Sequence, residues 1–229
     1  MTKDSQSETK ERFPKILRFE SNRQADQPKK NHYIVFMNKN RLEAFSDGVL
    51  AIIITIMVLE MKVPHSADWR ALLELAPVFG SYVLSFAFVG IYWNNHHHLL
   101  HTVQHLNPSI MWSNLNLLFW LSLIPFGTAW MGENSFSEAP VVIYACLLLL
   151  CGYSYDLLRK SIIKSYKDDH ALKHALEKQT RKAIISTISY SAAIPTAFLH
   201  TGISVALFIF VALIWIIPSR EIEKSLSEQ

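Results

Sequence analysis

The chain has 229 residues, half of them hydrophobic and 12% aromatic, with only 18% charged. Soluble domains carry roughly 25% charged residues, so the composition sets this chain apart from them and points to an integral membrane protein. The formal net charge of +3 calls for no nucleic acid, because the positive residues sit where anionic lipid would meet them.

Residues 1–40 form a polar arm of mixed charge in which HYIVFM at 32–37 is apolar. Disorder or a loose surface helix is expected before about residue 30. Six stretches then approach the roughly 20 mostly apolar residues that a membrane-crossing helix needs. They are roughly 45–63, 74–95, 110–130, 140–158, 183–199 and 202–218. No A-x-A-like cleavage site follows the first, which therefore reads as a span and not as a signal peptide. The third carries Asn114, Asn116 and Pro125, and the Pro125–Phe126 pair predicts a kink there. Cys146 and Cys151 both lie within the fourth span and read as small apolar core residues. The charged segment 159–182 lacks Pro and Gly and is expected to extend helices four and five. Only His200 and Thr201 separate the last two spans, with Gly202 read as the turn residue. Trp112, Trp130 and Trp215 fall near span ends, as interfacial anchors do, whereas Trp120 is mid-span and reads as packing.

The 22 Lys and Arg are distributed unevenly. Ten lie in the arm through Arg41, eight in 159–182, and Arg220 and Lys224 in the tail; Lys62 and Arg70 alone lie on the other side. The positive-inside rule then puts both termini in the cytoplasm of a multi-pass cell-membrane protein. The reading is a single-domain, all-α chain: arm 1–40, six-helix membrane domain 41–218 and cytoplasmic tail 219–229.

The first span opens with RLEAFSD at 41–47 and continues as GVLAIIITIMVLE. At about 100° per residue, Ile52, Ile56 and Leu59 fall on one stripe, joined toward its start by Arg41, Phe45 and Gly48. Thr55 sits at the stripe's edge, while Ser46 and Asp47 point nearly the other way. A carboxylate within a span is costly and normally faces protein or water, so Asp47 is expected to face other helices. By periodicity alone the aliphatic stripe suits lipid, a neighbouring helix or a narrow pore.

The R-x-x-x-F-S-D pattern of Arg41, Phe45, Ser46 and Asp47, its apolar helix, IYWNNHHHLLH at 91–101 and NLNLLFWLSLIPFGTAW at 114–130 carry a resemblance. Together they resemble a prokaryotic member of the transmembrane protein 175 family of potassium channels. The likeness covers about 40 to 218 and is sharpest in the first three spans. It implies six transmembrane helices per chain and a homotetramer whose first helices line a central pore. It also implies a pore constriction of Ile52, Ile56 and Leu59, with Thr55 influencing selectivity. No T-V-G-Y-G filter occurs in the chain. The permeant species would be K+ and other monovalent cations, and no cofactor is implied. A ring of isoleucines makes an ion shed much of its hydration shell, which potassium does more cheaply than sodium, and such a neck can gate by dewetting. Arg41, Phe45, Ser46 and Asp47 would then hold the first helix to its neighbours, with Trp93, the histidines at 96–98 (His97 among them) and Asn114 or Asn116 as candidate partners.

His97, His101 and His105 are spaced i, i+4, i+8 and would share a helical face. Two histidines at i, i+4 can bind a transition metal, although no Cys lies nearby and there is no HExxH motif. The other readings are an interfacial helix end with a structural histidine, and proton sensing. Glu60 would either concentrate cations at the outer mouth or pair with Lys62 or Arg70. Catalysis has little to stand on, because the only nucleophile candidate, Ser46 beside Asp47, has its partner about 100° away around the helix. The rival readings are a secondary transporter, which calls for inverted repeats and broken helices, and an accessory membrane protein without conduction.

Overall fold

Inside a bilayer every backbone N–H and C=O must be satisfied within the protein, and a helix does this alone. The computed structural model describes residues 38–165 and 170–216, which are helical apart from their connections. Among the described residues the helices are α1 (Lys39–Leu59), α2 (Trp69–Glu74), α3 (Ala76–His101), α4 (Pro108–Leu121), α5 (Ile124–Glu133), α6 (Glu138–Ser165), α7 (His170–Ala197) and α8 (Thr201–Ile216). Most of the 1–40 arm and the 219–229 tail lie outside the described residues. Among the described residues four segments are long and apolar enough to cross a membrane: α1, α3, the α4–α5 pair taken as Pro108–Glu133, and α6. α8 is apolar but shorter, at 16 residues. The 28 residues of α7 are charged in the first half and apolar beyond Lys182. The short α2, with exposed Trp69, Leu72 and Leu73, precedes the second span and left no readable signal.

Local chemistry sets the helix boundaries. Asn38 caps α1, its side chain accepting from Asn40 N at 3.2 Å, so RLEAFSD lies wholly inside the helix. Asn107 caps α4 by accepting from Ile110 N at 2.9 Å, with Pro108 in the first turn. The third span is interrupted at Ser122 and Leu123, just ahead of Pro125. Proline lacks the N–H that continues a helix and its ring crowds the preceding turn, so the predicted kink is a two-residue break. α5 closes on a left-handed turn without glycine: Ser135 and Phe136 have φ of 48° and 58°, and Phe136 N donates to Met131 O at 2.9 Å.

α6 and α7 extend through much of the charged 159–182 segment, and α6, at 28 residues, is about 42 Å long. The α7–α8 turn differs from the sequence reading. It occupies 198–200, and Gly202 sits in the first turn of α8 with an ordinary backbone angle. Gly202 N donates to His200 Nδ1 at 3.0 Å, and a Cβ on Gly202 would meet that imidazole at 2.9 Å. The glycine makes room for a capping side chain and not for a turn conformation.

α6 is the central helix, packed on α4, α5, α7 and α8, while α1 leans on α3, α4 and α5. Lipid tails are as apolar as leucine, so helix association depends on close packing and interhelical hydrogen bonds. Small residues supply the close packing. At Gly132 a Cβ would lie 2.5 Å from Ser81 Oγ and 2.8 Å from Val78 Cα, which is backbone and cannot turn aside. Gly132→Ala is therefore expected to force α3 and α5 apart at a cost of about 1–3 kcal/mol. Thermal unfolding in detergent checks this; a melting temperature equal to wild type would show that the contact yields freely.

Candidate functional site

α1 divides cleanly into two faces. Leu42, Ser46, Leu50, Ile53 and Met57 are buried against the bundle. Phe45, Gly48, Ile52, Thr55, Ile56 and Leu59 are exposed, Ile52 at 59% and Leu59 at 76%. The stripe picked out by helical geometry is thus the uncovered one in the single chain. Thr55 donates its hydroxyl hydrogen to Ala51 O at 2.9 Å, which commits the proton to the helix and leaves the oxygen lone pairs outward.

The buried face is held by a directed chain of hydrogen bonds. Ser46 Oγ donates to Leu42 O at 2.8 Å, so it accepts from Asn114 Nδ2 at 2.9 Å. That fixes the amide: Asn114 Oδ1 faces His96 Nε2 at 2.6 Å and must receive its hydrogen. The Nε2–H tautomer leaves His96 Nδ1 as a bare lone pair, and this buried nitrogen has no hydrogen-bond partner. Ser46, Asn114 and His96 are all buried to 1% exposure or less. The chain joins α1, α4 and α3, and its histidine is His96, not His97.

The remaining polar residues at this end face α3. Asp47 Oδ1 accepts from Trp93 Nε1 at 3.1 Å, and Trp93 stacks on His97. Glu43 Oε1 lies 3.0 Å from His97 Nδ1 and 3.5 Å from His101 Nε2. Lys39 Nζ donates to His101 O at 2.7 Å, closing the C-terminal end of α3. Arg41 is exposed, and its side chain has no partner among the described residues. His105 does not share the face of His97 and His101, because α3 ends at His101. Asn116 belongs elsewhere and donates to Ser154 Oγ on α6 at 2.7 Å.

At the opposite end Lys62 pairs with Glu133 at 2.7 Å, and that carboxylate raises the ammonium above its ordinary pKa. Glu60 stays exposed. Sequence reasoning passed over a second buried cluster between α3, α5 and α6. Ser85 Oγ lies 2.7 Å from the Tyr144 hydroxyl and 2.6 Å from Thr128 Oγ1, which also donates to Ile124 O at 2.7 Å. Its only signal was a scatter of hydroxyls within apolar helices.

Residues 41–125 match the family described as the endosomal/lysosomal potassium channel TMEM175. A protein named as a potassium channel from Chryseobacterium sp. (strain P1-3) is 50% identical over 192 residues, which is 84% of this chain and 100% of that protein. The chain belongs to the TMEM175 family. A relative from Streptomyces collinus, also named a potassium channel, is 28% identical over 81% of this chain and 98% of its own length. A crystal structure titled as a lysosomal potassium-selective channel TMEM175 homolog from Chamaesiphon minutus superposes with a TM-score of 0.71 at 27% identity. It covers 79% of this chain and 97% of that one. TMEM175 is a family of channels and not of enzymes. Its matched segment runs from the start of the exposed α1 stripe, through the Ser46–Asn114–His96 chain, to Pro125.

Asn114→Leu removes the middle of that chain and strands Ser46 Oγ and the His96 N–H. Each stranded buried group costs about 1–3 kcal/mol, so the variant is expected to melt well below wild type in detergent. Ser46→Ala added to Asn114→Leu is expected to cost less than the sum of the two single changes; strict additivity would mean that the bonds are not coupled.

Proposed function

We propose that the chain is a potassium-permeable, moderately K+-selective cation channel. Four chains, each with six transmembrane helices, assemble as a homotetramer with their α1 helices around a central pore. The supporting observation is the uncovered aliphatic face of α1 in a chain of a channel family: Ile52, Ile56 and Leu59 are exposed while the opposite face is buried and bonded. The named potassium channels among its relatives support potassium as the permeant ion.

The mechanism follows from the side chains. Rings of Ile52, Ile56 and Leu59 form a narrow apolar neck with no oxygen ligands. An entering ion sheds part of its hydration shell, and the lower dehydration cost of potassium favours it over sodium. The same neck closes by losing its water, as hydrophobic constrictions do. Thr55, on the edge of this face, offers oxygen lone pairs because its proton is held by Ala51 O, so its ring replaces part of the lost hydration. Selectivity is accordingly weaker than in a carbonyl-lined filter. Glu60, exposed one residue beyond α1, raises the local cation concentration at the outer mouth. The distribution of Lys and Arg supports a cell-membrane protein with the Lys39 end of α1 and both termini on the cytoplasmic side. Ser46, Asp47, Trp93, His97 and Asn114 hold the cytoplasmic end of α1, whereas Arg41 and Phe45 stay on its uncovered face, and no cofactor takes part.

Purified protein in liposomes with a potassium gradient tests the reading. Passive, unsaturated current reversing near the potassium potential is the expected result. Slow, saturable exchange would identify a transporter, and a current reversing at the proton potential would align the chain with its animal relatives, named proton channels. Ile52→Asn, which hydrates the neck, is expected to raise conductance or lower the potassium-to-sodium permeability ratio several-fold. Permeation unchanged in this variant removes Ile52 from the constriction.

A further inference from the structure

Glu43, His97 and His101 come together at the junction of α1 and α3, and the function proposed above does not use them as a set. One ligand atom from each lies within 4.8 Å of the other two. The Glu43 Oε1 separations are 3.0 Å to His97 Nδ1 and 3.5 Å to His101 Nε2. With zinc–ligand bonds of 2.0–2.1 Å, ligand atoms in a tetrahedral site stand about 3.3–3.4 Å apart. The two measured separations bracket that spacing. The imidazoles of His97 and His101 meet edge to face, with centroids 4.5 Å apart.

Two features show that this is more than an ion pair. His97 Nδ1 is closed off from solvent and makes no hydrogen bond, although it is 3.0 Å from a carboxylate oxygen. The oxygen is near the nitrogen but off the line along which an N–H would donate. Glu43, for its part, is largely buried, at 17% exposure, and presents its charge to two imidazoles. The nearby ammonium of Lys39 is bonded to a backbone carbonyl. Buried charges are paired or coordinate metals, and a cation between the three donors would answer both the carboxylate and the unbonded nitrogen.

We propose that Glu43, His97 and His101 form a binding site for a divalent transition-metal ion of the zinc class, which joins α1 to α3. Two imidazoles and a carboxylate suit zinc and its neighbours better than calcium or magnesium, which take oxygen ligands. Three protein ligands leave a fourth position, and the exposure of His101 keeps it open to water. Outer contacts steady the ligands: Trp93 stacks on His97, and Lys39 holds the carbonyl of His101. The set differs from the i, i+4, i+8 trio read from sequence in that Glu43 replaces His105. Metal binding is independent of whether the protein conducts.

Untagged, chelator-stripped full-length protein in detergent is titrated with Co2+, following its visible ligand-field absorption, and Zn2+ is then added in competition. The expected result is one Co2+ per chain, displaced by Zn2+. Glu43→Gln and His101→Gln are each expected to weaken binding more than about tenfold, the loss that removing even an outer partner of a metal ligand brings. His105→Gln is expected to bind like wild type. Zn2+ is expected to raise the melting temperature of wild type but not that of Glu43→Gln. No absorption band overturns the site, as does wild-type affinity in both Glu43→Gln and His101→Gln, or loss confined to His105→Gln. X-ray absorption on Co2+-loaded wild type decides the matter without any variant. Two imidazoles and oxygen around the metal support the site, and any other ligand set overturns it.

Discussion

Ser46 has one hydroxyl hydrogen, and the carbonyl of Leu42 takes it. The orientation of α1 in the bundle depends on that commitment. With its proton spent within its own helix, Ser46 can only accept from a neighbour, so Asn114 must offer its amide nitrogen and His96 must donate to the amide oxygen. Rolling α1 by one residue, about 100°, would carry Ser46 away from Asn114 and bury part of the aliphatic stripe. The uncovered position of Ile52, Ile56 and Leu59 and the buried bond chain are two sides of one rotational setting.

The weight carried by a few polar atoms reflects the solvent. In water, burying leucines would dominate the association of these helices; in lipid that drive is absent between spans. Specificity then comes from small residues that let backbones approach, as at Gly132 against Val78, and from hydroxyls and amides that match only one arrangement. The Tyr144, Ser85 and Thr128 cluster does for α3, α5 and α6 what Ser46, Asn114 and His96 do for α1, α3 and α4. Asn116 and Ser154 add the α4–α6 contact.

Much of this is visible in the residues themselves. A 3.6-residue period on an apolar helix separates Ile52 from Asp47 without any knowledge of neighbours, and Pro125 announces the break at Ser122 and Leu123. The choice between His96 and His97 is not visible, because adjacent residues differ by a rotation of α3 that only its packing against α4 decides. Glu43 is hidden for a related reason. A lone carboxylate near a helix start looks like a solvated charge until α3 brings two imidazoles to it. Gly202 misleads because a glycine after a short gap usually marks a turn, whereas here it clears space for the ring of His200. The trio ending at His105 assumed that α3 continues, and the helix stops at His101.

Every conventional hydrogen bond or ion pair that the described side chains of α1 make to another helix falls between Lys39 and Asp47. Beyond Asp47 the helix is held by apolar packing and one long approach of Thr128 to the Met57 sulfur, 3.8 Å. Past its end, the exposed Lys62–Glu133 pair is a loose tether. Mechanically, α1 is a rod clamped at one end. Ile52 lies about 7.5 Å along the axis from Asp47 and Leu59 about 18 Å, at 1.5 Å per residue. Any rigid tilt about the clamp therefore sweeps Leu59 roughly 2.4 times as far as Ile52. In the pore proposed above, a small pivot at the clamped end would displace the Leu59 level most and the Ile52 level least.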